Sequence, residues 1–162
     1  MRIRTANDFA CPPAQAFAML TDPAFWSAVA EASHPLSYDV SVDGPRVRTR
    51  RVLPSEPSVA KITGPTSVIV DEIVWADSAG DERYGLAGAE VEGLPAALAV
   101  AMNGTVWLHA GGRGTLLDYE GDLKVDVPLV GLLLERRAAG VLNEAIALQQ
   151  QVADAWQTQP SG

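Results

Sequence analysis

Polar and apolar residues change their rhythm several times along the chain, and each change marks an element. Residues 2 to 9 set Ile3 and Thr5 against arginines in alternation, as a short first strand does. Pro12-Pro13 stops that strand and suits a helix start, because proline's fixed φ fits the first turn. Ala14 to Leu20 places Phe17 and Leu20 three apart on one face. Thr21-Asp22-Pro23 then caps a second helix, Ala24 to Ala32, which carries Phe25, Trp26 and Val29. After His34-Pro35 the period falls to two, with Tyr38, Val40 and Val42 alternating against Ser37, Asp39, Ser41 and Asp43. Asp43-Gly44 is a hairpin signal, and Arg46 to Leu53 returns as the next strand. Pro54 to Pro65, rich in proline and hydroxyl residues, reads as an irregular connection with room for one helical turn.

The second half repeats the strand rhythm and then abandons it. Val68 to Ala76, Arg83 to Glu92, Ala96 to His109 and Thr115 to Val127 read as strands, the third weakened by alanine and bent at Asn103-Gly104. In the last of them Leu117, Tyr119, Leu123, Val125 and Val127 share one parity. From Gly131 onward Leu134, Ala138, Val141, Ala145, Leu148, Val152 and Trp156 follow spacings of three and four, an apolar stripe on one long helix. Glu135, Arg136, Arg137, Glu144, Gln149, Gln150 and Asp154 fall off that stripe. Short turns make antiparallel neighbours, and a lone amphipathic helix beside an antiparallel sheet must lie across one of its faces. The expected fold is α+β. It has a curved antiparallel sheet of about six to seven strands around a long C-terminal helix, with two short helices after the first strand. One domain is expected over residues 1–157, with a disordered tail at 158–162.

Composition narrows the function more than it defines it. A chain of 162 residues fits one domain. The net charge of −8 speaks against nucleic acid, whose phosphates call for a basic face. The run Arg46-Val-Arg-Thr-Arg-Arg51 reads as a solvated strand face, with an anion site as the lesser reading. Cys11 is the only cysteine, so no internal disulfide can form; Met1 to Asp8 has no apolar core of signal-peptide length, and no segment approaches a membrane span. A cytoplasmic protein with no integral membrane contact is expected.

One segment carries a resemblance. Gly121 to Gly131 reads Gly-x-Leu-x-Val-x-Val-Pro-Leu-Val-Gly, with Glu135 early in the helix that follows; Asp22, Phe25 and Trp26 add a looser aromatic motif. With the element order, these make the chain resemble the START-like (SRPBCC, polyketide cyclase, helix-grip) superfamily, in a bacterial branch of unknown function. The resemblance covers nearly the whole chain. It implies an elongated cavity between helix and sheet for hydrophobic small molecules, lipids or polyketide-like rings. Members include enzymes, carriers and protein-binding modules, so fold does not decide function. The branch carries no catalytic residue over to this chain.

No metal site is expected, because neither His34 nor His109 has Cys, Asp or Glu at ligand spacing and a stable site needs three or four ligands. No cofactor is expected either. The serines lack a Gly-x-Ser-x-Gly context, and the Ala110 to Gly114 turn has no following helix to make a phosphate loop. Asp71 and Glu72 are neighbours in a strand, so a regular pleat turns one inward, whereas a twist or bulge would leave both solvated. The cavity candidates from the strands are Val40, Val42, Glu72, Trp75, Tyr84, Met102, Leu117 and Tyr119. From the long helix they are Leu134, Ala138, Val141 and Ala145. Met102 and Trp107 have opposite parity, so at most one faces inward. The expected function is binding of an apolar or amphipathic small molecule without chemistry. The alternatives are a cyclase- or hydrolase-like enzyme moving protons through Tyr119 with Glu72 or Asp71, and a protein-interaction module.

Overall fold

The computed structural model describes the chain except residues 78–79, 95–97, 128, 130 and 159–162, and the side chain of Ser58. The elements run β1 (Arg2–Phe9), α1 (Pro13–Leu20), α2 (Pro23–Ala32), β2 (Ser37–Asp43), β3 (Arg46–Pro54), α3 (Pro57–Thr63), β4 (Thr66–Trp75), β5 (Arg83–Glu92), β6 (Ala99–Gly111), β7 (Gly114–Asp126) and α4 (Gly131–Thr158). The tail expected at 158–162 lies outside the described residues apart from Thr158, which ends α4. The Pro54 to Pro65 connection holds more helix than expected, because Pro57 starts α3 and Gly64, at φ +80°, ends it.

Seven strands form one antiparallel sheet in the order β1-β7-β6-β5-β4-β3-β2. The chain starts at one edge, and α1 and α2 carry it to the other: α1 packs on β6 and β7, α2 on β2, β3 and α4. From there each strand returns beside its predecessor. Gly104 lies opposite Gly121 across the β6–β7 ladder. A Cβ on Gly104 would stand 2.1 Å from the Glu120 carbonyl oxygen, so only glycine allows the strands to close this tightly. The strand runs unbroken through this point. α4 lies over the concave face against β1 and β7, which is the α+β helix-grip arrangement.

The core sits under the last turns of α4. Phe9, Leu20, Phe25, Leu108 and Leu117 are fully buried. Phe25 meets Trp26 and Trp156 edge to face, at centroid distances of 5.3 and 5.7 Å. The Trp26 indole N–H donates to the Leu20 carbonyl at 2.7 Å, so this aromatic cluster has no stray donor there.

The helix stripe is rotated from the expected one. Ile146, Gln149 and Ala153 are its buried residues, while Leu148 is only half-buried and Val141 is exposed. Gln149 was expected off the stripe and is 4% exposed. The reason is pairing: its side-chain N–H donates to the Tyr119 hydroxyl at 2.8 Å, and Gln150 bonds the β1 backbone at Asp8. Amides that satisfy one another lose little by facing inward.

Candidate functional site

The sheet alternation decides which strand residues face the helix. On β3, Val47, Thr49 and Arg51 are buried, while Arg46, Arg48 and Arg50 are exposed. The basic run is thus a solvated face with one exception, Arg51. Thr49 lies opposite Asp71, and Arg48 opposite Glu72, across an unbroken ladder. No bulge intervenes, so Asp71 faces inward and Glu72 outward. Glu72 borders the cavity through its place on β4, but its carboxylate lies 3.7 Å from exposed Arg46.

Between sheet and helix lies a cavity in two lobes. A wide lobe of about 420 Å³ opens between α3, the first turns of α4 and the inner faces of β3 to β7. Leu53, Val59, Ile62, Ile69, Val100, Leu123, Leu134, Ala138 and Val141 are among its walls. A narrow lobe of about 90 Å³ adjoins it, lined by Trp26, Val29, Val47, Ile73, Ala87 and Tyr119 among others. The lobes share Arg51, Asp71, Ala89, Met102, Leu142 and Ala145, which form the neck. At the outer rim Arg137 of α4 ion-pairs with Glu56, the residue capping α3.

Polar chemistry gathers at the neck. The Arg51 guanidinium donates to the Asp71 carboxylate at 2.9 Å. Burial pushes the Asp71 carboxyl above its ordinary value, against the opposing pull of Arg51 and of a hydrogen bond from Thr49. The Tyr119 hydroxyl, paired with Gln149, is raised by burial as well, so it holds its proton through the physiological range. Among the described residues, no three of His, Cys, Asp and Glu stand where they could hold a metal. His34 is exposed at a junction, with φ +51°. His109 is covered, stacked on Trp107 at 3.7 Å and 2.6 Å from Asp118 on the outer face.

The candidates named from sequence divide cleanly. Met102, Tyr119, Leu134, Ala138, Val141 and Ala145 line the cavity. Tyr84 does not: it is 52% exposed on the outer face, stacked on Trp107 and bonded to Glu82. The inward positions of β5 are Gly85, Ala87 and Ala89, less conspicuous than the outward Tyr84 and Leu86. Trp75 and Leu117 belong to the packed core, Trp75 edge-on to Phe17 at 5.3 Å, and neither reaches the cavity. Val40 and Val42 pack half-buried against the core from the edge strand and are likewise off the walls. Arg51, Gln149 and Leu142 were missed. For Arg51 the signal was present, since it shares parity with Val47 and Thr49.

The chain belongs to the family described as "Protein of unknown function (DUF2505)", which matches residues 5–156. No curated protein matches it. Solved structures show the fold again at low identity. A protein from Thermus thermophilus is 16% identical with a TM-score of 0.61, the match covering 98% of this chain and 100% of that one. A START superfamily protein from Mycobacterium smegmatis is 11% identical with a TM-score of 0.55, covering 96% and 98%. The di-domain ARO/CYC StfQ from the steffimycin biosynthetic pathway is 13% identical with a TM-score of 0.60, covering 95% of this chain and 50% of that one. The chain therefore shares its helix-grip fold with these proteins.

Proposed function

We propose that the protein binds an apolar or amphipathic small molecule, a lipid or a polyketide-like compound, between α4 and the sheet. The observation that supports this most is the wide lobe itself. Its volume of about 420 Å³ falls in the range of small-molecule sites, roughly 300–1,000 Å³, and like them it has mostly apolar walls with a few placed polar groups. Met102 and Trp26 border the cavity without filling it, and the remaining tryptophans pack elsewhere. A filled interior, as a pure interaction module would favour, is not what the side chains make. Native mass spectrometry of purified protein, with titration of the neutral solvatochromic dye Nile red, tests the reading. A co-purified apolar species or saturable micromolar dye binding is expected; neither being found overturns it.

One observation favours an enzymatic alternative. Asp71 is a carboxylate in an apolar cavity with its proton affinity raised, as acid–base residues are. Two features weigh against it: Arg51 pairs with the Asp71 carboxylate, and burial holds the proton on Tyr119. Turnover of a cyclisable aromatic polyketide mimic, lost in Asp71→Asn, would establish the enzyme instead.

A further inference from the structure

The cavity's neck holds an ion pair that packing alone does not require. Arg51 and Asp71 sit 2.9 Å apart on neighbouring strands, facing inward where β3 and β4 otherwise present Val47, Thr49, Ile69 and Ile73. Two charges taken from water into apolar surroundings carry a desolvation cost that apolar residues of similar volume would avoid. Both lobes touch this pair, so a guest in either one lies beside it.

The pair is not symmetric toward the cavity. The Arg51 side chain is 11% accessible and the Asp71 side chain 35%. A guest therefore meets mainly the carboxylate. A carboxylate offers about four acceptor sites, and Arg51 and Thr49 occupy only part of that capacity. What it lacks is a further donor. The surrounding charge points the same way. Around the wide lobe stand the carboxylates Glu56, Asp71, Glu90 and Glu144 against the guanidinium groups Arg51 and Arg137, in a chain of net charge −8. An anionic headgroup entering here meets like charge at the rim and again at the neck. An uncharged donor meets no like charge there and completes Asp71.

We propose that Arg51 and Asp71 form a polar anchor that selects apolar ligands bearing an uncharged hydroxyl, an alcohol or phenol, over carboxylate anions. Arg51 holds the Asp71 carboxylate in place, and Asp71 accepts from the ligand hydroxyl while the ligand's body fills the wide lobe. This deepens the binding function proposed above and rests on it.

The experiment is displacement of Nile red at pH 8 by three ligands of one length: 1-decanol, 1-methoxynonane and decanoate. The ether matches the alcohol in size but donates nothing. In a merely apolar cavity it should bind better, because the hydroxyl donor would lose water without replacement. The anchor requires the reverse: decanol displaces dye at a concentration at least about tenfold lower than the ether, the margin of a hydrogen bond to a charged acceptor. Decanoate is the weakest of the three. In Asp71→Asn, which leaves Arg51 unpaired, decanoate becomes the strongest. In the double variant Arg51→Met, Asp71→Leu, the alcohol loses its advantage over the ether. Circular dichroism checks that each variant is folded, and the alcohol-to-ether ratio in the unaltered protein stands even if a variant is not. Dye binding with the ether equal to or better than the alcohol, or with decanoate preferred, overturns the anchor and leaves the binding function standing. No dye binding at all overturns both.

Discussion

From Ile146 to Trp156, α4 is fastened to its surroundings; from Leu134 to Ala145 the same helix borders open space. In the first stretch Ile146, Gln149 and Ala153 are buried, and Trp156 packs on Phe25. Asn7 donates to the Ile146 carbonyl at 3.0 Å, Gln150 bonds both backbone groups of Asp8, and Gln157 accepts from the Ala10 N–H. In the second stretch Ala138 and Ala145 are small, Val141 is exposed, and the facing wall carries Ala89, Val100 and Ala101. Helix and sheet come together at one end and separate at the other. The comparison teaches that one amphipathic element can do two jobs. Aromatic rings and paired amides hold the fold at the closed end, and small side chains leave a cavity at the open end.

The largest effect should come from breaking the closed end. Phe25→Ala removes a fully buried ring from the aromatic cluster and should cost about 3–5 kcal/mol in urea denaturation. At the neck, Arg51→Met leaves Asp71 unpaired. The loss should be about 3 kcal/mol, the low end for a broken buried pair, because Asp71 is open to the cavity. This loss should depend on pH. Burial already raises the Asp71 carboxyl above 3.8, and removing Arg51 raises it further. A carboxyl whose folded-state proton affinity exceeds its unfolded one opposes folding at neutral pH, and that opposition fades as pH falls through the folded value. The gap between unaltered protein and variant should therefore narrow as pH drops from about 7 toward 4. A gap that widens instead would mean Asp71 is not buried as described.

A smaller loss is expected where the helix is tied by amides. Gln149→Ala leaves the Tyr119 hydroxyl without its partner and should cost about 1–3 kcal/mol. A solvated glutamine at that position would cost less than about 0.5 kcal/mol, so this substitution separates the observed helix face from the one that periodicity suggests. The smallest effect belongs outside both regions. Leu86, 66% exposed on the outer sheet face, should tolerate serine within about 0.5 kcal/mol and leave dye uptake unchanged. A large loss there would reveal a covering partner.

Most of the fold was legible in the sequence because strands and helices impose their own periods. The alternation around Val40 and Val42, the Asp43-Gly44 turn, where Gly44 adopts φ +56°, and the spacing from Leu134 onward each have a local cause. The site was less legible because its polar members are held inward by distant partners, even where, as for Arg51, strand parity already points inward. Gln149 is buried by Tyr119, thirty residues away, and Arg51 by Asp71, twenty away. β5 failed for the opposite reason: its inward residues are glycine and alanine, so the outward Tyr84 looked like the better cavity residue. Ala138 and Ala145 of α4 stand at the cavity because side chains this small leave the space beside them unfilled.

The most direct test of the account is a Nile red titration of the unaltered protein beside Ala145→Phe. Ala145 stands at the neck, bordering both lobes, and a phenyl ring there blocks the space from the helix side while the closed end of α4 keeps its packing. Saturable micromolar binding with a blue-shifted emission is expected in the unaltered protein, and none in the variant, with circular dichroism unchanged. Dye binding undiminished in Ala145→Phe, or absent from the unaltered protein, would contradict it.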